Sequence, residues 1–81
     1  MKNLTEQQQL LSKESIIQQL SHELEIPAEE IKMDDDLLLL GLDSVRLMTL
    51  VDIWQSQGSQ VSFESLAEEP TLEAWLNQIL N

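Results

Sequence analysis

Apolar residues recur along this chain at three- and four-residue intervals, the spacing of helices that pack on a core. The period-two alternation of strands has almost no support in the sequence. The packed part of a first helix is predicted to begin at Ser12 and to end before Pro27, although Thr5 and Gln8 have the spacing of an earlier cap. Its core-facing stripe is Ile16, Ile17, Leu20 and Leu24.

A second helix is predicted over residues 44–57, because Gly58 has the chemistry expected just beyond a helix end. Its core face is Leu47, Leu50, Val51 and Trp54. Val45 and Met48 fall toward a different side, which includes the exposed end of Ser44. Met48 could fill the core or lie on the surface, and the pattern leaves both interpretations open.

Two further helices are predicted near the end of the chain. Ser62 is placed to cap a helix that residues 68–70 end and that is too short to be stable alone. Thr71 caps the last helix, in which Trp75 is expected in the core. The stripe of this helix is Leu72, Trp75, Leu76, Ile79 and Leu80. The chain is therefore predicted to be an all-α four-helix bundle with three main helices and a short third one.

The connection between the first two helices is long for so small a chain. Between residues 25 and 43 the pattern supports only one short turn, which begins at Pro27. Loops of this length without their own structure are uncommon and tend to be functional or disordered. Disorder is not expected here, because the four leucines of residues 37–40 are too apolar to leave in water. We expect the loop to fold back over the bundle and to deliver Gly41 and Ser44 to one end.

Three consecutive aspartates, Asp34, Asp35 and Asp36, invite a calcium interpretation. An EF-hand loop, however, needs alternating oxygen ligands, a central glycine and a final glutamate at fixed offsets. The sequence around these aspartates lacks all three. The triplet is better interpreted as a solvated acidic turn before the leucines, and no metal site is predicted.

Composition limits the classes of function. A chain of 81 residues should form one domain, here a lead-in over residues 1–11 and a packed part over 12–81. Such a domain hides only about 60% of the surface of its unfolded chain, so a deep catalytic cavity is not expected. The absence of cysteine excludes a disulfide framework and a cysteine-ligated zinc site, and it fits a reducing cytoplasm.

The charge balance bears on partners. Fifteen acidic and four basic residues give a net charge of −11, which makes nucleic acid a poor partner and basic protein surfaces better ones. The N-terminus runs at once into polar residues rather than into an apolar leader, and the longest apolar run, residues 37–40, cannot span a membrane. We therefore expect a cytoplasmic protein without membrane contact.

Ser44 is the candidate for chemistry. No partner for a Ser-His-Asp relay is evident, since the only histidine, His22, lies in another predicted helix. A serine without a base is a poor nucleophile, and no acid–base pair or metal cluster is apparent elsewhere, so an enzyme is not expected. Ser44 could still be an attachment point if another protein performs the chemistry. The simpler alternative is that it only caps the helix.

The sequence GLDSVRLM over residues 41–48 resembles the modification site of phosphopantetheine-dependent carrier proteins, and the resemblance covers about residues 12–80. In that family a serine takes a 4′-phosphopantetheine arm from coenzyme A, and the arm's thiol holds an acyl, aryl or aminoacyl group as a thioester. Ser44 is the matching position. Within this family, the chain looks most like the aryl carrier domains of siderophore synthesis. The features that carry this similarity are the Asp-Ser-Val-Arg motif, Phe63 and the segment of residues 70–75.

This resemblance implies partners and a docking surface. A phosphopantetheinyl transferase would modify Ser44, an aryl-adenylating enzyme would charge the thiol, and a condensation domain would remove the aryl group. The docking surface would lie on the second and third helices, at Val45, Met48, Phe63 and Ala67. Phe63 could instead be a core aromatic. Capping and helix-dipole stabilisation are sufficient explanations for Asp43, and the resemblance adds a role in positioning the metal or basic residues of the transferase. We expect a monomer.

Two other functions remain open at this point. Gly-Leu-Asp-Ser also occurs in acyl carriers of polyketide and fatty-acid-like pathways, although Arg46 and the ending at Trp75 favour an aryl carrier. The other alternative is an acidic helical adaptor that binds a basic protein and carries no modification. Incubation with coenzyme A and a broad transferase separates the adaptor from both carriers, because only a carrier gains mass.

Overall fold

A computed structural model describes residues 11–80 of the chain. They form four α-helices, α1 (Lys13–Leu24), α2 (Ser44–Ser56), α3 (Phe63–Glu68) and α4 (Leu72–Leu80), with a 3₁₀ turn at Ala28–Glu30. The predicted all-α bundle with a short third helix is confirmed, and an isolated bridge between Asp36 and Thr71 is the only β pairing in the described range. The proposed earlier start at Thr5 and nearly all of the lead-in lie outside the described residues.

Serine side chains begin two of the helices. At the start of α1, the Ser12 hydroxyl accepts a hydrogen bond from the Ser15 backbone N–H at 3.1 Å, and the Ser15 hydroxyl accepts one from the Ser12 N–H at 2.9 Å. Ser62 and Ser65 repeat this reciprocal pair at the start of α3, with both distances 3.1 Å. Such pairs satisfy backbone donors that have no partner inside the helix. The predicted starts at Ser12 and Ser62 are confirmed.

The core collects one stripe from every helix. The stripe residues predicted for α2 are all buried, and no buried polar or charged residue occurs among the described residues. The core consists of Ile16, Leu20, Leu24, Ile31, Leu37, Leu42, Leu47, Leu50, Val51, Trp54, Val61, Leu66, Leu72, Trp75, Leu76 and Ile79. Leu80 was predicted to belong to the stripe of α4, but it is exposed because it is the last residue of that helix.

Two tryptophans meet at the centre of this core. The rings of Trp54 and Trp75 pack edge to face, with centroids 5.8 Å apart and planes at 76°. The Trp75 indole N–H donates to the Leu66 carbonyl at 2.8 Å and so ties α4 to α3. The Trp54 indole N–H is buried without a partner. The buried indole N–H is therefore hydrogen-bonded in Trp75 and has no hydrogen-bond partner in Trp54.

This difference predicts unequal costs for one substitution made at two sites. Trp75→Phe should lower the free energy of unfolding by about 1 kcal/mol more than Trp54→Phe, because only the former breaks a hydrogen bond. Both changes remove the same atoms from fully buried positions. Urea denaturation followed by circular dichroism measures the two values. Equal losses would contradict the assignment of the bond to Trp75.

The long loop is fastened to the start of α4. The Leu37 N–H donates to the Pro70 carbonyl at 2.8 Å, and the Glu73 N–H donates to the Met33 carbonyl at 3.0 Å. The side chain of Leu37 is fully buried, and Leu42 is also in the core. The loop therefore returns to the bundle before it enters α2, as predicted.

The prediction that all four leucines of residues 37–40 avoid water is wrong for two of them. Leu38 is 49% exposed and Leu39 is 85% exposed, whereas Leu40 is half-buried against the core. The reason is the tight turn formed here, in which the Leu39 and Leu40 N–H groups both donate to the Asp36 carbonyl. Successive side chains of a tight turn point in different directions, so they cannot all face the bundle.

The aspartates before these leucines close backbone turns. A carboxylate oxygen of Asp35 accepts from the Lys32 N–H, and one of Asp36 accepts from the Leu38 N–H, both at 2.9 Å. Aspartate is favoured at turns for this reason. These bonds agree with the acidic turn expected from the sequence.

Among residues 11–80, no helix combines the length and the apolar character that a membrane crossing requires.

Candidate functional site

The candidate site lies where the loop enters α2. Asp43 is the N-cap residue, with extended backbone angles, and its Oδ1 accepts from the Arg46 backbone N–H at 2.9 Å. Ser44 is the first residue of the helix. The interpretation of Ser44 as a residue that only caps the helix is therefore wrong, because Asp43 does the capping.

The Ser44 side chain is exposed. Its hydroxyl makes no hydrogen bond to any part of the chain that the structure describes, in contrast to the capping serines Ser12 and Ser62. The hydroxyl is therefore accessible to another molecule and is not engaged in holding the fold. A phosphate attached to it would lie at the N-terminus of a helix of 13 residues, where the helix dipole favours negative charge.

Ser44 has no hydrogen-bonded general base within the described residues. The hydroxyl has no hydrogen-bonded partner there that could remove its proton. His22 is exposed on α1, and it lines an open groove with Arg46 and Pro27 in which Ser44 does not take part. A reaction at this hydroxyl therefore needs activating groups from another protein.

Gly41 sets the direction of the chain as it approaches Ser44. Its φ angle is +114°, a backbone conformation that residues other than glycine rarely adopt. A Cβ atom built at this position would meet nothing within 4 Å, so the requirement for glycine is one of backbone conformation. Leu42, the next residue, is buried and fixes the loop end to the core.

Arg46 joins the first turn of α2 to the last turn of α1. Its guanidinium Nη1 donates to the Glu23 carbonyl, near the end of α1, at 2.8 Å. That carbonyl lies in the last turn of α1, where helix carbonyls lack partners within the helix. In the sequence, Arg46 supports only the resemblance to aryl carriers, and its contact with α1 is not predicted. No local sequence signal points to this bond, because it joins residues 23 positions apart.

The residues predicted to meet partners differ in exposure. Val45 is 72% exposed and Met48 is 56% exposed, so the interpretation of Met48 as a core residue is wrong. Ala67 on α3 is exposed as well. Phe63 is half-buried and packs against the core, so it combines features of both interpretations. Since α2 packs against α3, an apolar surface can continue from one helix to the other.

Replacing Asp43 tests the geometry of the cap. Asp43→Ala should lower the free energy of unfolding by about 1 kcal/mol, because the Arg46 N–H loses its acceptor. Asp43→Asn is the matched control and should retain most of this stability, since an amide oxygen also caps a helix. Thermal unfolding of the three proteins gives the comparison. An equal loss in both variants would indicate that Asp43 acts through its charge rather than as a cap.

Comparison with known proteins gives a family match that includes this site. A family model described as a phosphopantetheine attachment site matches residues 14–79. An isochorismatase of Bacillus subtilis is 48% identical over 62 residues, which are 76% of this chain and 20% of that protein. A phenyloxazoline synthase of Mycolicibacterium paratuberculosis is 39% identical over 62 residues, which are 76% of this chain and 5% of the synthase.

A third relative is named for a different product. A pyochelin synthetase of Pseudomonas aeruginosa is 42% identical over 65 residues, which are 76% of this chain and 4% of the synthetase. The chain thus spans only a small part of each of these larger proteins. No solved structure gives a significant match to this chain.

Proposed function

Because this chain belongs to the phosphopantetheine attachment-site family, whose members carry covalently attached 4′-phosphopantetheine, we propose that Ser44 is the residue to which the arm is joined. The chain is a carrier domain and not a catalyst. The observation that supports Ser44 most is that Asp43, not Ser44, caps α2. The Ser44 hydroxyl is therefore left exposed, and it makes no hydrogen bond to the described residues. Family membership also rules against an unmodified adaptor.

In this proposal the chain supplies the acceptor and the transferase supplies the chemistry. The Ser44 oxygen attacks the phosphorus that bears the pantetheine group and forms a new O–P bond. The bond from this phosphorus to the bridging oxygen of the coenzyme A pyrophosphate breaks, and adenosine 3′,5′-bisphosphate leaves. The hydroxyl proton passes to a base of the transferase, because no described residue accepts a hydrogen bond from the Ser44 hydroxyl. The chain has no cysteine, so any thioester must be formed on the thiol of the arm.

We propose an aryl acid as the cargo. One relative is named as a phenyloxazoline synthase, and a phenyl ring is an aryl group. The Asp-Ser-Val-Arg sequence over residues 43–46 and the ending over residues 70–75 support the same choice, through the resemblance to aryl carriers of siderophore synthesis. An acyl carrier of a polyketide or fatty-acid-like pathway is the alternative that the cargo assay must exclude.

The partners then act in a fixed order in the cytoplasm. A phosphopantetheinyl transferase modifies the monomeric chain, an aryl-adenylating enzyme loads the thiol, and a condensation domain removes the aryl group. Tethering the group raises its effective concentration at each enzyme. The net charge of −11 favours rapid encounter with basic surfaces, and exchange between successive partners requires contacts of modest size.

The docking surface proposed for these enzymes consists of Val45, Met48, Phe63 and Ala67. The exposure of Val45 and Met48 supports it, since flexible methionine side chains adapt to several partners. Phe63 would contribute the edge that the core leaves accessible. For Asp43, we propose that its exposed carboxylate also helps to position the metal or basic residues of the transferase.

Truncating Met48 tests this surface separately from the fold. Met48→Ala should slow aryl transfer about tenfold and change the free energy of unfolding by less than about 0.5 kcal/mol, because the side chain lies mostly in solvent. Met33→Ala, at another exposed methionine, is the matched control and should leave transfer unchanged. Rates come from single-turnover loading and stability from denaturation. A stability loss of several kcal/mol would assign Met48 to the core instead.

A charging assay tests the cargo. The pantetheinylated chain is incubated with ATP and an aryl-adenylating enzyme that uses dihydroxybenzoate or salicylate, and in parallel with enzymes that transfer malonyl or aminoacyl groups. Intact-protein mass spectrometry should detect the aryl thioester only. Loading with malonyl groups and with no aryl acid would replace the aryl assignment by the acyl alternative.

A further inference from the structure

Two adjacent leucines lie on the surface between residues of the core. Leu38 is 49% exposed and Leu39 is 85% exposed, whereas Leu37 is fully buried and Leu42 is 4% exposed. Single exposed leucines are ordinary on protein surfaces, but here two exposed leucines are adjacent in the chain. We call Leu38 and Leu39 the leucine knob.

The backbone beneath the leucine knob is fixed by hydrogen bonds. The Leu38 N–H donates to a carboxylate oxygen of Asp36 at 2.9 Å, and the Leu39 N–H donates to the Asp36 carbonyl at 3.0 Å. The Leu42 N–H donates to the Leu37 carbonyl at 3.1 Å and closes the turn. The knob is therefore presented on an ordered backbone, and little backbone entropy would be lost when it docks.

The knob lies close to Ser44 along the chain and is flanked in the sequence by aspartates. Leu39 and Ser44 are five positions apart in the chain, so their Cα atoms are at most about 18 Å apart. Residues 33–45 contain four aspartates and neither lysine nor arginine. Three of these aspartates, Asp34, Asp36 and Asp43, are exposed. An enzyme that reaches the Ser44 arm at this side therefore meets an apolar projection with a negative border.

We propose that the leucine knob docks into an apolar socket, bordered by Lys and Arg side chains, on the aryl-adenylating enzyme. This inference rests on the proposed function. The adenylating enzyme meets the arm before any aryl group is attached, so it must recognise the carrier by its protein surface. A second copy of this chain is a poorer occupant, because each copy has a net charge of −11 and would bring its own acidic border to the contact.

The test compares Leu39→Ser with Leu80→Ser, a change at another exposed leucine, in α4. Both proteins are first pantetheinylated with coenzyme A and a broad transferase, and loading with salicylate or dihydroxybenzoate is then measured. For Leu39→Ser the KM for the carrier should rise about tenfold with little change in kcat, whereas Leu80→Ser should behave like the wild type. The rate of pantetheinylation should stay unchanged in both variants, and the melting temperature of Leu39→Ser should match that of the wild type because Leu39 is 85% exposed.

The charged border has its own readout. The KM of the wild type should rise with sodium chloride concentration, and Asp34→Asn should weaken that dependence, because screening acts on exposed charge pairs. A KM that does not respond to salt overturns the basic border of the socket.

Failure of this inference is distinguishable from failure of the proposed function. If the wild type and Leu39→Ser are loaded equally well, the docking role of the leucine knob is overturned and the proposed function is not affected. A wild type that gains the arm but accepts no aryl acid overturns the aryl assignment and the knob together. A wild type that sediments as a dimer, with Leu39→Ser as a monomer, overturns the enzyme as occupant and assigns the knob to self-association.

Discussion

Replacing Ser44 by alanine will abolish the gain of one phosphopantetheine group when the chain is incubated with coenzyme A and a broad transferase. The reason is that the acceptor oxygen is removed, and no neighbouring group can replace it at that position. The fold should be unaffected, because the Ser44 hydroxyl holds no hydrogen bond within residues 11–80. The free energy of unfolding should change by less than about 0.5 kcal/mol. Intact-protein mass spectrometry and circular dichroism measure the two quantities.

Ser56→Ala is the control for this experiment. Ser56 is exposed and is the last residue of the same helix, and its hydroxyl donates to the Ile53 carbonyl at 2.7 Å. This variant should gain the arm as the wild type does. A full mass gain in Ser44→Ala would show that another residue accepts the arm.

Leu37→Ala is expected to have the largest effect on stability, a loss of about 2–5 kcal/mol. Leu37 is fully buried, and its backbone N–H joins the loop to Pro70. Removing its side chain leaves a cavity where the loop meets α4. Because small domains are stable by only about 5–15 kcal/mol, this loss is a large part of the total. Urea denaturation gives the value.

Leu39→Ala in the same turn is the matched control and should cost less than about 0.5 kcal/mol. The two substitutions remove the same atoms two residues apart, but one side chain is fully buried and the other is 85% exposed. The ratio of the two losses therefore measures how the turn distributes its leucines. Comparable losses would mean that the loop packs on the bundle in another way.

Much of the fold was predictable because local rules and the core pattern agree. The caps at Ser12, Ser62 and Thr71 follow from short-range chemistry, and the Thr71 hydroxyl accepts from the Ala74 N–H at 3.2 Å. The stripe of α2 follows from helical spacing. Such agreement between local and long-range preferences is characteristic of sequences that specify one structure.

The run of leucines was not predictable residue by residue. Four apolar neighbours have no period, so hydropathy cannot distinguish Leu37, which is buried, from Leu39, which is not. The distinction depends on a turn that Asp36 initiates and that the Pro70 carbonyl anchors from a distant part of the sequence. Only the three-dimensional arrangement contains that information.

At the site itself, the sequence offered both Asp43 and Ser44 as the cap of α2, and the structure assigns the cap to Asp43. Both Asp43 and Ser44 are good N-cap residues, and the sequence does not say which of them takes the extended conformation. The cap at Asp43 leaves Ser44 accessible. The bond from Arg46 to the Glu23 carbonyl could not be foreseen, because it joins residues 23 positions apart through the packing of two helices.

Peptide mapping determines whether the Ser44 hydroxyl receives the arm. Cleavage after Lys32 and Arg46 gives a peptide of residues 33–46, in which Ser44 is the only residue with a hydroxyl side chain. After incubation with coenzyme A and transferase, this peptide should gain the mass of one phosphopantetheine group, with fragment ions that assign it to Ser44. An unmodified peptide 33–46 from a chain that has gained the arm, or a chain that gains none, would contradict the assignment to Ser44.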